Sequence, residues 1–157
     1  GFNVMKGDYN RREGTRAEIS PDGWLDSGDV GIMDEDGYLY ITGRIKDMII
    51  RGGENIYPRE VEEFIAGMEG VLDVQVVAAP SEKYGEEVAA FVIPKPGSDI
   101  TPDDVRDFCR GRIAWHKIPR YVALVEAFPL TASGKIKKFE LRAMAAGLVA
   151  DEVQKQG

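Results

Sequence analysis

The sequence predicts an α+β fold in which a three-stranded sheet packed by helices fills the chain from Lys46 onward, preceded by a short β-rich piece. Three observations point to this. Residues 71–79 and 88–93 are valine-dense runs of strand length. Pro58 opens a stretch to about Met68 that carries Val61, Phe64 and Ile65 on one side, as an amphipathic helix does. The Gly- and Asp-rich pattern of the first 45 residues changes at Lys46.

Taken in order, Val30 to Met33 and Tyr38 to Thr42 read as two strands joined by an Asp-Glu-Asp-Gly turn. Met48 to Arg51 is a brief strand and Gly52 to Asn55 a turn, followed by the Pro58 helix and the two valine runs. Thr101 is the expected N-cap of a helix reaching Ile113, because Pro102 follows it and Asp104 completes a Thr-x-x-Asp start. Arg120 to Val125 supplies the third strand and Lys138 to Leu148 a closing helix with alanines for close packing. The first 45 residues cannot bury a core alone, so they are expected to be part of a larger domain, with 46–157 a compact unit of its own.

Composition narrows the function classes. The 157 residues are 43% hydrophobic, and Cys109 is the single cysteine, which excludes an internal disulfide and suits a reducing cytoplasmic setting. No apolar run approaches the roughly 18 residues of a membrane span. The net charge of −7 argues against a generic nucleic-acid binder, yet the window from Val105 to Arg142 carries nine Lys/Arg against three acids. On charge alone, that window fits either a small phosphorylated ligand or ordinary charged helix faces.

In this order, GFNVMKGDYN, GWLDSGDVG, DGYLYITGRIKDMIIRGGENIYPREVE, YGEEVAAFVI, HKIPRYV and PLTASGKIKK resemble the C-terminal portion of acyl-CoA synthetases of the adenylate-forming superfamily, over essentially the whole chain. IIRGGENIYPREVE with FCRGRIAWHKIPR is most similar to the AMP-forming fatty-acyl branch. The resemblance implies that residues 1–45 end a large N-terminal AMP-binding domain and 46–157 form the mobile C-terminal domain. It also implies a two-step reaction: ATP and a carboxylate give an acyl-adenylate and pyrophosphate, then the CoA thiol displaces AMP. ATP, CoA and Mg²⁺ would serve the whole enzyme, with none held tightly by this part, which would be inactive without the N-terminal domain.

Residue by residue, the resemblance makes Asp29 the carboxylate for the ribose hydroxyls and Arg44 a second ribose or phosphate contact. It makes Lys46 the hinge, and Gly52, Gly53, His116, Lys117 and Arg120 the CoA-facing set. Lys135, after the glycine of TASGKIKK, would be the adenylation lysine, carried on a flexible loop. Local sequence keeps plainer readings open: a turn support at Asp29, a surface ion pair at Arg44, a solvated linker charge at Lys46, a tight turn at Gly52 and Gly53, and a surface lysine at Lys135. Trp115 is expected to pack, and Cys109 to be a buried apolar residue. The chain departs from the family pattern at Asp8, Arg12 and Ser27, where an aromatic, a proline and a threonine are usual. A stand-alone, non-catalytic nucleotide- or CoA-binding module is the alternative function.

Overall fold

The structure, a computed structural model, describes residues 2–156. Its contacts divide the chain into two compact units, residues 1–46 and 47–157.

In the first unit, helix α1 (Arg12–Glu18) precedes an antiparallel hairpin of β1 (Asp29–Met33) and β2 (Leu39–Arg44). The hairpin follows from the Asp-Glu-Asp-Gly turn: Asp34 Oδ1 accepts from the backbone N–H of Asp36 and Tyr38. Helix α1 is not expected from the sequence, because REGTRAE contains a glycine and no apolar periodicity. It is held locally, with the Asp8 N–H donating to Thr15 Oγ1 at 2.9 Å. None of the described residues of this unit is buried.

The second unit is a sheet with helices on both faces. Its strands are β3 (Ile49–Arg51), β4 (Glu54–Ile56), β5 (Val71–Ser81), β6 (Gly85–Pro94) and β7 (Tyr121–Leu124), and its helices α2 (Pro58–Ala66), α3 (Pro102–Cys109) and α4 (Lys138–Gln156). The sheet runs β4-β3-β6-β5, with β7 parallel to β6. The three expected strands form its body, and the short β3–β4 hairpin extends it to five.

Alternation along β5 and β6 sends side chains to opposite faces, which explains why both runs are almost wholly apolar. Val74, Val76, Val88, Ala90 and Val92 pack with Val61 and Ile65 of α2 and Val105 and Cys109 of α3. Val77, Ala79, Ala89 and Phe91 pack with Leu141 and Ala145 of α4 and with Phe128. Thr101 caps α3 reciprocally: its hydroxyl accepts from the Asp104 N–H at 3.2 Å, and Asp104 Oδ2 accepts from the Thr101 N–H at 2.8 Å. The helix stops at Cys109, short of Ile113, because Arg110 is already extended and Gly111 has φ +70°.

Candidate functional site

Within the first unit, the β1–β2 register sets Asp29 opposite Arg44, and their side chains pair at 3.2 Å through Nε and Oδ1. Two side-chain caps shape the approach to Asp29. Asp26 Oδ1 accepts from the Gly28 N–H at 2.8 Å, and Ser27 Oγ accepts from the Asp29 N–H at 3.2 Å, so Ser27 in place of threonine keeps the hydroxyl that the turn uses. A cleft of about 390 Å³ beside the pair is lined by Asp26, Ser27, Gly28, Arg44, Ile45 and Lys46, among others. Lys46 is exposed, and the division between the units falls directly after it.

Gly52 and Gly53 form the β3–β4 turn with φ +58° and +91°, values that strain any side chain, so the turn by itself demands glycine at both positions. A Cβ on Gly53 would meet nothing, whereas one on Gly52 would come within 3.2 Å of the Tyr84 ring. The Gly52 N–H donates to the Tyr84 carbonyl at 2.9 Å.

His116 and Lys117 lie in a 3-10 turn, Trp115–Lys117. Trp115 corrects the packing expectation, being 67% exposed, because this turn follows the end of α3 and turns its indole away from the core. Its ring lies 4.9 Å from the Arg51 guanidinium and edge-on to His116. Lys117 Nζ pairs with Glu60 at 2.5 Å, and Arg120 pairs more loosely with Glu152 at 3.4 Å.

Most of the positive window is neutralised inside the fold. Arg106 pairs with Asp103 within α3 and Arg110, just past its end, with Asp107; Lys137 pairs with Glu140, Lys138 with Glu62, and Arg142 with Asp47. Arg112 lies over the Phe108 ring. Lys135 differs: it is exposed, and among the described residues no carboxylate pairs with it.

The loop that carries Lys135, expected to be flexible, is a closed turn. The Thr131 N–H donates to the Lys135 carbonyl at 2.8 Å, Thr131 Oγ1 accepts from the Lys135 N–H at 3.0 Å, and Leu130 bridges Ile136. Among the described residues, no cluster of three or more His, Cys, Asp or Glu is placed to hold a metal ion. No helix among them is long and apolar enough to cross a membrane.

Residues 60–135 match the AMP-binding enzyme C-terminal domain. Over 90% of its length the chain is 57% identical to a putative acyl-CoA synthetase, YngI, of Bacillus subtilis. The chain is thus similar to the C-terminal portion of AMP-binding acyl-CoA synthetases. Over the same share it is 46% identical to the mitochondrial medium-chain acyl-CoA ligase ACSF2 of Mus musculus. It spans about a quarter of the length of these relatives, 26% and 23%. ATP-bound MatB from Rhodopseudomonas palustris superposes with a TM-score of 0.87 at 38% identity, covering 93% of this chain and 29% of that one.

The part matched to the adenylate-forming C-terminal domain contains His116, Lys117, Arg120 and Lys135, while Asp29, Arg44, Lys46, Gly52 and Gly53 precede it. Sequence reasoning missed Arg51, Tyr84 and Glu87, which meet where β3, the β5–β6 turn and the Trp115 turn converge. The signal was present in RGG and YGEE, but a carboxylate in a Glu-Glu pair reads as solvated. The Tyr84 phenol sits below its usual range, chiefly through its hydrogen bond with Lys83.

Proposed function

We propose that this chain is the C-terminal part of an AMP-forming acyl-CoA ligase acting on a fatty acid in the cytoplasm. ATP and the acid give an acyl-adenylate and pyrophosphate, and the CoA thiol then forms the thioester and releases AMP. The observation that carries this reading is the placement of Lys135, an exposed cation without a carboxylate on a closed turn, within a region where most other cations are held in ion pairs. A lysine so presented stabilises the negative charge that develops as the carboxylate attacks the α-phosphate.

Asp29 keeps its second carboxylate oxygen for the ribose hydroxyls while Arg44 orients the first. Lys46 is the hinge, an exposed position where backbone dihedrals can change without disturbing a core. Gly52, Gly53, His116, Lys117 and Arg120 form the CoA-facing surface. The turn's glycines leave its backbone open, and the cations suit the phosphates of CoA. Mg²⁺ enters with ATP. The acyl preference follows the medium-chain ligase relatives. The first unit completes a larger N-terminal domain, which is the partner its exposed apolar residues require.

The test is acid-dependent pyrophosphate release by the longer enzyme, compared with the same enzyme carrying Lys135→Ala. Undiminished release in the variant would remove Lys135 from the reaction. Acyl-CoA synthesis by the 157 residues alone would show that the chemistry needs no further domain. Nucleotide or CoA binding without any turnover in the longer enzyme would favour a non-catalytic module.

A further inference from the structure

We propose that Glu87 is a positioning residue for the CoA-facing surface. Through Arg51 it ties the Gly52–Gly53 turn to the Trp115–Lys117 turn, an inference that rests on the ligase reading above. Glu87 is the one buried charged side chain among the described residues, 1% exposed. Its two oxygens accept from Arg51, Nε to Oε2 at 2.5 Å and Nη2 to Oε1 at 3.0 Å. A two-point fork of this kind fixes the plane of the guanidinium as well as its position.

The Arg51 plane is in turn the contact for two rings, Tyr84 at 4.2 Å and Trp115 at 4.9 Å from ring centroid to guanidinium carbon. Trp115 needs that contact because it is two-thirds exposed and has no place in either core cluster. Arg51 directly precedes Gly52, and Trp115 directly precedes His116 and Lys117. The backbone ties each segment to the β5–β6 pair rather than to the other segment: β3 meets β6 at Arg51 and Gly85 and the Gly52 N–H donates to the Tyr84 carbonyl, while β7 pairs with β6 farther along, at 89–92. The two CoA-facing segments, more than sixty residues apart in sequence, are therefore registered by one guanidinium whose orientation a buried carboxylate sets.

The test uses Glu87→Gln, Glu87→Asp, Trp115→Ala and the double variant Glu87→Gln/Trp115→Ala in the longer enzyme. In Glu87→Gln the KM for CoA rises by roughly ten- to a hundred-fold while pyrophosphate release with ATP and acid holds. Glu87→Asp recovers part of the loss, and the double variant is no worse than Glu87→Gln alone. An unchanged KM for CoA, an equal fall in both half-reactions, or losses that multiply in the double variant would each overturn the proposal. If Glu87→Gln does not fold, Trp115→Ala, which alters an exposed ring, decides by the same CoA readout.

A second arm needs no catalysis. The chain has two tryptophans, so 5-fluorotryptophan labelling gives a Trp115 ¹⁹F resonance that Trp115→Phe assigns. Glu87→Gln shifts and broadens it, and an unmoved resonance would show that Glu87 does not hold Trp115. If the longer enzyme makes no acyl-CoA at all, the ligase reading falls, and the fluorine signal alone tells whether the clamp survives it.

Discussion

The two units handle apolar surface in opposite ways. In residues 47–156 the valines and isoleucines of the sheet are enclosed by α2 and α3 on one face and α4 on the other, with Phe91, Ile49 and Leu141 essentially inaccessible. In residues 2–46 the hairpin leaves Ile32, Met33, Leu39 and Tyr40 exposed, together with Trp24. Both hairpin and sheet are built on antiparallel strand pairing, so what separates them is side-chain enclosure. Local turn chemistry is enough to shape the first unit, but only burial gives the second its stability.

The largest effect that would break this contrast is dissection. Residues 47–157 expressed alone should unfold cooperatively, whereas residues 1–46 alone should show no thermal transition by circular dichroism. A cooperative melt of the shorter piece would refute the assignment of stability to enclosure. Next in size, and in the longer enzyme, Lys135→Ala should slow adenylate formation by about 10² to 10³, with Lys137→Ala as the near-neutral control. Supplying the acyl-adenylate with CoA should restore thioester formation in Lys135→Ala, and persistent loss would show that Lys135 serves more than the first step.

Smaller effects sharpen the comparison. Phe91→Ala should cost about 3–5 kcal/mol in a denaturant titration, while Ile32→Ala in the exposed hairpin should leave the midpoint of the same transition in place. Cys109 gives a pH test from inside the core. Burial pushes its thiol up from 9.0 to about 11, so the folded chain keeps the proton that the unfolded chain releases. That contribution is whole below pH 9 and is lost as pH rises toward 11. Cys109→Ala should therefore soften the alkaline loss of stability, and iodoacetamide at pH 8 should label Cys109 rapidly only in denaturant. Smallest of all, Thr101→Ala should cost about 1 kcal/mol through loss of the α3 cap.

The parts of the fold legible in the sequence are those whose cause is local. The Thr101 box, the proline start of α2 and the Asp34 turn each need only a few neighbouring residues, and the valine runs announce burial by composition. Of the residues considered for the site, Asp29 and Lys135 lay in recognisable motifs. What could not be read depends on partners far along the chain: Glu87 reaches Arg51 across 36 residues, and the Glu60 partner of Lys117 lies 57 away. The exposure of Trp115 belongs to the same class, since nothing in AWHK states whether the core has room for an indole.

The single-pair attachment of β3 to β6 has a consequence for hydrogen exchange. Ile49 and Ile56 anchor the β3–β4 hairpin by their side chains, but its backbone meets the main ladder just at the Arg51–Gly85 pair and the adjoining bond from the Gly52 N–H to the Tyr84 carbonyl. Amide protection should then fall into two tiers, with protons along β5 and β6 lost only through global unfolding and those of Ile50 and Asn55 released by a cheaper, separate opening. The glycine turn would thus sit on a part of the sheet that breathes while its centre stays closed.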